Sequence, residues 1–263
     1  MALTDAQYRV ASLALHLPEA AGFVLAGGGA MLVHELVDRP TRDLDLFTTD
    51  LNALAPFAAA LTVALTAAGL TVTPGRVADG YQQLTVADGG EAVLVELAHD
   101  ARLWPASTLA VGPVISVVEL AADKTLALFG RAEPRDLVDV AALATNYSTG
   151  ELLESAAAKD AGFDPNVLAD AVGFAAAQPD SRFLALGLTP MALLALREWA
   201  QRWREELIGE QAEGHAQVAQ RASAAAQLAA AGYPDRPKSG SPKDDPPHRR
   251  QPPKSPTARG RSR

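Results

Sequence analysis

Two aspartates that alternate with apolar residues are the first candidates for chemistry in this chain. The segment Asp43-Leu44-Asp45-Leu46-Phe47 alternates as a β-strand does, so the Cβ atoms of Asp43 and Asp45 project from one face about 6–7 Å apart. Two carboxylates this close raise each other's pKa unless a cation lies between them, and a divalent ion would keep both ionised. The segment therefore predicts a metal site. The alternative is the solvated outer face of an edge strand, which shows the same pattern.

Three consecutive glycines, Gly27, Gly28 and Gly29, precede these aspartates. We expect a short buried strand before them, a short helix over 30–37 after them, and a turn at 38–40. Glycines at the start of a helix let backbone N–H groups approach a phosphate, and the helix dipole favours an anion there. The order of elements therefore predicts a phosphate site beside the metal site. A triple glycine that forms only a turn is the alternative.

The two segments together resemble the leading motif of the DNA polymerase β-like nucleotidyltransferase superfamily, in particular that of its AbiEii/AbiGii-type (MenT-like) toxins. The motif reads here Leu25-Ala26-Gly27-Gly28-Gly29-Ala30-Met31, then Arg39-Pro40-Thr41-Arg42-Asp43-Leu44-Asp45-Leu46-Phe47. The resemblance implies metal binding by Asp43 and Asp45. It implies nucleotide binding by Gly27, Gly28, Gly29, Arg39 and Thr41. Gly29 departs from the Ser or Thr of the family, so backbone N–H groups would replace a hydroxyl at the phosphates.

A third carboxylate, Glu96, lies inside the apolar strand predicted over 92–98. An ionised carboxylate without a partner is costly in such a strand, so we expect a partner. The superfamily uses a third metal-binding carboxylate on a strand beside the Asp-x-Asp strand, and the resemblance assigns Glu96 to it. An open sheet face is the alternative environment for Glu96. His99 and Asp100 are weaker candidates, because strand ends commonly carry polar residues that start turns.

A second block of candidates runs from residue 116 to 139. Ser116 and Glu119 predict a capping box, and Pro134 predicts the first turn of another helix. Lys124 falls on the first of these helices and is one of two lysines before residue 235, where there are twelve arginines. A compact ammonium on a flexible stem suits a triphosphate. Lys124 is therefore a candidate for phosphate binding.

Asp136 lies on the second helix of this block. The pattern Glu-Leu-x-x-x-Lys followed by Arg-x-x-x-Arg-Asp-Leu-x-Asp resembles the AbiEii-type family, in which the Lys and the Arg-Asp segment complete the active site. The resemblance thus implies catalytic roles for Lys124 and Asp136 beside Asp43 and Asp45. In the structural alternative, Asp136 interacts with a helix N-terminus and Arg135 pairs with Asp139.

The pattern of the whole chain predicts an α+β fold, with helices packed on a small mixed sheet. Strands are expected near 23–26, 70–73, 81–86 and 92–98, and the turn at 88–90 predicts an antiparallel hairpin between the last two. Nearly everything from 114 to 232 reads as helix. We therefore expect a polymerase β-like nucleotidyltransferase core at 1–112, a helical region at 113–232 that completes the active site, and a disordered Pro/Arg-rich tail at 233–263.

Composition narrows the classes of protein further. The chain of 263 residues has no cysteine, which excludes disulfides and thiolate metal sites, and it shows no signal peptide or membrane span. We expect a cytoplasmic protein. The segment 235–263 holds nine Lys+Arg against three Asp, whereas the rest holds 14 Lys+Arg against 28 Asp+Glu. Such a tail either binds nucleic acid through its charge or is solvated without a partner. P-loop, nucleophile-elbow, zincin and dinucleotide-binding motifs do not occur in the sequence.

The resemblance implies a Mg²⁺-dependent enzyme that transfers a nucleoside monophosphate from an NTP to an acceptor hydroxyl and releases pyrophosphate. It implies the 3′ end of tRNA as acceptor, and the toxin of a toxin–antitoxin system with an antitoxin as partner. Two alternatives stay open. One is a nucleotidyltransferase for a small molecule or a protein, and the other is an NTP-binding module without catalysis, for which Gly29 and the use of Glu96 in place of Asp are the reasons.

Overall fold

The computed structural model describes residues 2–230. Contacts divide the chain into a unit at 1–215 and a unit at 216–263. The sheet and its cavity belong to the first unit. The tail expected at 233–263 lies outside the described residues. The domain boundary expected at residue 113 stays a prediction.

The described part of the chain contains one seven-stranded mixed sheet. Its strands are β1 (Val24–Ala26), β2 (Asp43–Thr48), β3 (Thr71–Ala78), β4 (Tyr81–Asp88), β5 (Glu91–His99), β6 (Ser107–Leu109) and β7 (Gly112–Val114). Their order is β3-β4-β5-β2-β1-β7-β6. The β2–β5 and β1–β7 pairs are parallel and the other neighbours are antiparallel, including the predicted β4–β5 hairpin.

Residues 2–230 also contain α-helices and two short 3-10 helices, Pro18–Ala20 and Leu51–Ala53. The α-helices are α1 (Asp5–Leu15), α2 (Gly27–Val33), α3 (Leu54–Ala67), α4 (Val117–Arg131), α5 (Pro134–Leu143), α6 (Thr149–Lys159), α7 (Pro165–Ala176), α8 (Asp180–Leu184) and α9 (Pro190–Ala230). Helix α4 packs against α5, α6 and α7. None of the helices described combines the length and apolar character that crossing a bilayer requires. The α+β prediction is confirmed.

The central strand β2 places apolar and acidic side chains on opposite faces of the sheet. Leu44 and Leu46 of β2 are fully buried, whereas Asp43 and Asp45 project from the other face. Strand β2 lies between β5 and β1 and is not an edge strand, so the solvated-edge interpretation of the Asp-x-Asp pattern is wrong. Alternation with a period of two places these acids together.

Local details differ from the sequence-based predictions: β3, expected near 70–73, extends to Ala78. Helix α2 begins at Gly27 rather than at residue 30 because the glycines themselves form its first turn, and it ends at Val33, shortly before Glu35 adopts a φ of 59°. The β6–β7 hairpin was not expected. Each of its strands has three residues, β7 contains Pro113, and no glycine or asparagine occupies the turn at Ala110-Val111.

Candidate active site

Three carboxylates meet on the face of β2 and β5 that lines the cavity. The parallel pairing places Asp45 directly opposite Glu96, and oxygens of Asp43, Asp45 and Glu96 lie within 4.8 Å of one another. All three line a cavity of about 430 Å³. The structure thus brings together the three residues that the sequence proposes as metal ligands. Asp100 lines the same cavity, and His99 does not.

The electrostatics of this acidic triad leave room for a cation. Burial and the neighbouring Asp43 carboxylate raise the pKa of Asp45 to about 6, and Lys124 and the backbone N–H of Gly28 offset this only in part. A divalent cation among the three carboxylates would supply the missing positive charge. Carboxylate oxygens are the ligands that Mg²⁺ prefers. The residues present therefore fit a bound hard divalent cation.

The glycine run approaches the triad so closely that side chains are excluded. Gly27 has a φ of 57°, and a Cβ on it would lie 1.6 Å from Asp45 Oδ2, while a Cβ on Gly28 would lie 2.5 Å from Thr41 Oγ1. Gly27 and Gly28 line the cavity. Gly29 does not, and a Cβ on it would point at the side chains of Leu25 and Leu44. A side chain at position 29 would therefore start towards the apolar core.

Two polar side chains of β4 hold Glu96. The Tyr81 hydroxyl donates a hydrogen bond to Glu96 Oε1 at 2.7 Å, and Gln83 Nε2 donates to the same oxygen at 3.3 Å and to the Tyr81 hydroxyl at 3.2 Å. Burial and the interaction with Glu96 raise the pKa of Tyr81 to about 12, so the phenol keeps its proton at neutral pH. Both hydrogen bonds to the carboxylate end on Oε1. Glu96 is thereby oriented with a partner, as the sequence required.

We expect Tyr81→Phe to weaken divalent cation binding roughly tenfold, because residues that orient metal ligands typically contribute 10–100-fold to affinity. Titration calorimetry with Mn²⁺ measures the effect. Tyr8→Phe on α1, an exposed tyrosine, is the matched control and should leave the affinity unchanged. Equal affinities for the Tyr81 and Tyr8 variants would contradict an orienting role for Tyr81.

Basic side chains line the same cavity as the acidic triad. They are Arg39, Lys124, Arg131, Arg135 and Lys159. Two of them converge on Asp139 of α5, which is fully buried. Arg39 donates from Nε and Nη2 to the two Asp139 oxygens at 2.6 Å each, and Lys124 Nζ lies 2.9 Å from Asp139 Oδ2. Burial alone would raise the pKa of Asp139, but Lys124 and Arg39 outweigh it and hold this pKa below its ordinary value.

Arg39 and Thr41, the predicted nucleotide-binding residues, both line the cavity and both already have polar partners. The Thr41 hydroxyl donates to Asp43 Oδ1 at 2.8 Å, and the Thr41 carbonyl accepts from Gln7 Nε2 at 2.9 Å. Arg39 is engaged by Asp139. In this arrangement both residues fix the positions of charged neighbours, Thr41 that of Asp43 and Arg39 that of Asp139.

Asp136 does not line the cavity. Its carboxylate accepts two hydrogen bonds from Arg131, at 2.8 and 2.7 Å, and one from the backbone N–H of Glu133 at the start of α5. Asp136 therefore lies at a helix N-terminus, as the structural alternative predicts. The other half of that alternative is wrong, because Arg135 pairs with Glu133 and not with Asp139. Asp136 reaches the cavity only through Arg131.

The predicted capping box of α4 forms only in part. Ser116 accepts from the Glu119 N–H, but the Glu119 carboxylate accepts from the N–H groups of Leu103 and Trp104 instead of returning to Ser116.

Sequence reasoning also missed the roles of Asp139 and of Tyr81. A sequence signal for these buried carboxylates exists. Asp136 and Asp139 lie on the same face of α5 as the apolar residues Leu137 and Val140, and acids on an apolar helix face are expected to be buried with a partner.

Comparisons with known proteins give one family and several similar structures. The family model described as "Nucleotidyl transferase AbiEii toxin, Type IV TA system" matches residues 11–226. No curated protein matches the chain. Among solved structures, one similar fold is that of MenT4, a nucleotidyltransferase toxin from Mycobacterium tuberculosis H37Rv. The two sequences are 21% identical, the alignment covers 79% of this chain and 90% of that chain, and the TM-score is 0.49. The structure of JHP933 from Helicobacter pylori is also similar. Its sequence is 18% identical, the alignment covers 79% of this chain and 93% of that chain, and the TM-score is 0.47.

The family match covers most of the chain and includes every residue of the acidic triad and of the basic cavity wall. Membership implies an NTP as substrate and an antitoxin as partner. The chain belongs to the AbiEii family of nucleotidyltransferase toxins of type IV toxin–antitoxin systems.

Proposed function

We propose that the protein transfers a nucleoside monophosphate from an NTP to an acceptor hydroxyl in a Mg²⁺-dependent reaction. One observation carries the proposal: the acidic triad and five basic side chains line a single cavity. Carboxylates that can hold Mg²⁺ beside cations that can hold phosphates are the two halves of a phosphoryl-transfer site. The acceptor hydroxyl releases its proton to solvent water as its oxygen forms a bond to the α-phosphorus. The bond from that phosphorus to the bridging β-phosphate oxygen breaks, and pyrophosphate leaves.

Each side chain of the triad has a position that fits this reaction. Asp43, Asp45 and Glu96 would hold Mg²⁺, which supplies charge stabilisation for the attacking and leaving oxygens. Thr41 fixes Asp43, and Tyr81 fixes Glu96. The close approach of the Gly27 and Gly28 backbone gives the triphosphate access to the triad, since no side chain separates them.

Basic side chains of the cavity would neutralise the charge on the leaving pyrophosphate. Lys124 is the candidate for direct contact, because its ammonium lines the cavity and Asp139 holds it in place. Asp136 is proposed as a positioning residue that orients Arg131. Fixed cations in a partly enclosed cavity stabilise developing negative charge without the cost of reorienting solvent.

We propose the 3′ end of tRNA as the acceptor and the cytoplasm as the place of action, where NTPs and tRNA occur together. The resemblance to MenT-like toxins supports this acceptor. Residues 1–234 are acidic overall, so attraction of RNA falls to the basic side chains of the cavity and to the basic segment 235–263.

The test is incubation of the purified protein with Mg²⁺, total tRNA and each of the four α-³²P-labelled NTPs. Label is expected on tRNA with the unchanged protein and not with Asp45→Ala, because loss of Asp45 removes one of three metal ligands. Asp50→Ala, which removes the acid that caps the short 3-10 helix Leu51–Ala53, should retain labelling. Label on a small molecule or protein, with none on RNA, would replace the proposed acceptor.

A further inference from the structure

Lys159, the second lysine before residue 235, lines the same cavity as Lys124. Its side chain is only 6% exposed. The ammonium lies 2.7 Å from Glu119 Oε1 and 3.5 Å from Asp100 Oδ2, and it also contacts Asp123. The chain therefore places a buried cation among three carboxylates, of which Asp100 and Asp123 line the cavity. The proposed reaction gives none of these carboxylates a role.

The cavity has a charge gradient along α4. Leu120, Asp123, Lys124, Ala127 and Arg131 all line it, and residues 120 and 131 are separated by roughly 16 Å of helix axis. Arg131 and Arg135 lie at the C-terminal end of this wall. Lys159 and its carboxylates lie at the N-terminal end, where acids outnumber the cation three to one. At the C-terminal end, Arg131 and Arg135 each balance one carboxylate, that of Asp136 and that of Glu133. A triphosphate is therefore repelled more strongly from the N-terminal end than from the C-terminal end.

Two of the three carboxylates at the N-terminal end have free capacity for hydrogen bonds. Glu119 is fully buried, and its Oε2 already accepts from the N–H groups of Leu103 and Trp104. The side chains of Asp123 and Asp100 are 22% and 41% exposed. Burial raises the pKa of Asp123 to about 6 in spite of Lys159, so this carboxylate gains from an additional donor. A ligand at this end should therefore bring N–H groups rather than phosphates.

We propose that Asp123, Asp100 and Lys159 form a nucleobase-binding subsite for bases that carry an exocyclic amino group. The carboxylates of Asp123 and Asp100 accept from the amino group, and Lys159, whose ammonium contacts both, holds them in position. Uracil offers one N–H between two carbonyl oxygens and fits a pair of carboxylates poorly. The base belongs either to the NTP or to the terminal nucleotide of the acceptor, and both present this chemistry. The subsite rests on the proposed nucleotide transfer.

The experiment is titration calorimetry of the full chain with non-hydrolysable α,β-methylene analogues of the four NTPs in the presence of Mg²⁺. We expect the best amino-bearing analogue to bind at least roughly tenfold more tightly than the uridine analogue, since one well-placed base contact discriminates by about that factor. Asp123→Asn, which keeps the shape of the side chain, should reduce this ratio about tenfold. Arg135→Ala, at the other end of the cavity, should weaken all four analogues by one common factor.

A second arm identifies the source of the base. Acceptor oligonucleotides that differ only in their 3′-terminal base are compared in transfer assays. If Asp123→Asn changes their ranking while the NTP ratios stay constant, the base belongs to the acceptor. If the unchanged protein binds the analogues but Asp123→Asn alters neither ranking, the cluster is only structural and the subsite is overturned. If the unchanged protein binds none of the analogues, the proposed transfer fails and the subsite fails with it.

Discussion

Asp139→Ala is expected to lower the free energy of unfolding by about 3–5 kcal/mol, because it leaves two buried cations without their common counter-ion. Arg39 and Lys124 are 5% and 7% exposed, and both bind the Asp139 carboxylate. Since the pKa of Asp139 is below its ordinary value, the stabilisation is complete above about pH 4 and is lost as the pH falls further. Urea unfolding at pH 7 measures the difference.

The matched control for this prediction is Asp170→Ala. Asp170 also pairs with an arginine, Arg204, but at 3.4 Å and with 82% of its side chain exposed. Exposed pairs of this kind contribute about 0–1 kcal/mol. If the Asp139 and Asp170 variants unfold at the same urea concentration, the buried ion pairs do not stabilise the fold in the way the contacts indicate.

Gly27→Ala should reduce nucleotide transfer by roughly 100-fold or more, since a displacement of about 1 Å in a reacting group has that effect. The new Cβ would lie 1.6 Å from Asp45 Oδ2 and 2.5 Å from Asp45 Cγ, so the carboxylate must leave its position in the triad. Divalent cation affinity should fall together with transfer. Calorimetry with Mn²⁺ and the labelling assay measure the two effects on the same preparation.

Gly69→Ala separates this clash from backbone strain. Gly69 also has a positive φ, of 83°, but a Cβ on it meets no atom within 4 Å. Both variants carry the cost of about 1–2 kcal/mol of a left-handed non-glycine residue, and only Gly27→Ala displaces a carboxylate. A Gly27 variant that keeps cation affinity equal to the Gly69 variant would show that Asp45 is not held where the structure has it.

The acidic half of the site follows from the sequence because strands have a simple periodicity. Alternation sorts Asp43 and Asp45 from Leu44, and the turn between Asp88 and Glu91 fixes the hairpin register that sets Gln83 opposite Glu96. Both are local rules that connect residues close in the chain. The parallel pairing that sets Glu96 opposite Asp45 joins residues 51 apart, so the third carboxylate is assigned by the resemblance and not by a local rule, and its hydrogen bond from Tyr81 was not predicted.

The basic half does not follow from any local rule. Arg39 and Asp139 are 100 residues apart, and no periodicity states which face of α5 turns towards the segment before β2. Lys124 could be singled out by its rarity, but its partner could not. The same limit explains Asp136: the motif identifies the residue, whereas only the packing of α4 on α5 shows that its carboxylate binds Arg131.

The 100-residue separation of Arg39 and Asp139 also orders events on the ribosome. The chain carries its complete acidic triad once residue 96 has been added, but Asp139 and Lys159 are added later. At roughly 5–20 residues per second, the interval between residues 96 and 159 lasts several seconds. A nascent or prematurely terminated chain that ends before α5 lacks Asp139 and cannot fix Lys124 beside the carboxylates. Nucleotide transfer by the nascent chain is therefore expected only after Asp139 has been added and α5 has packed on α4.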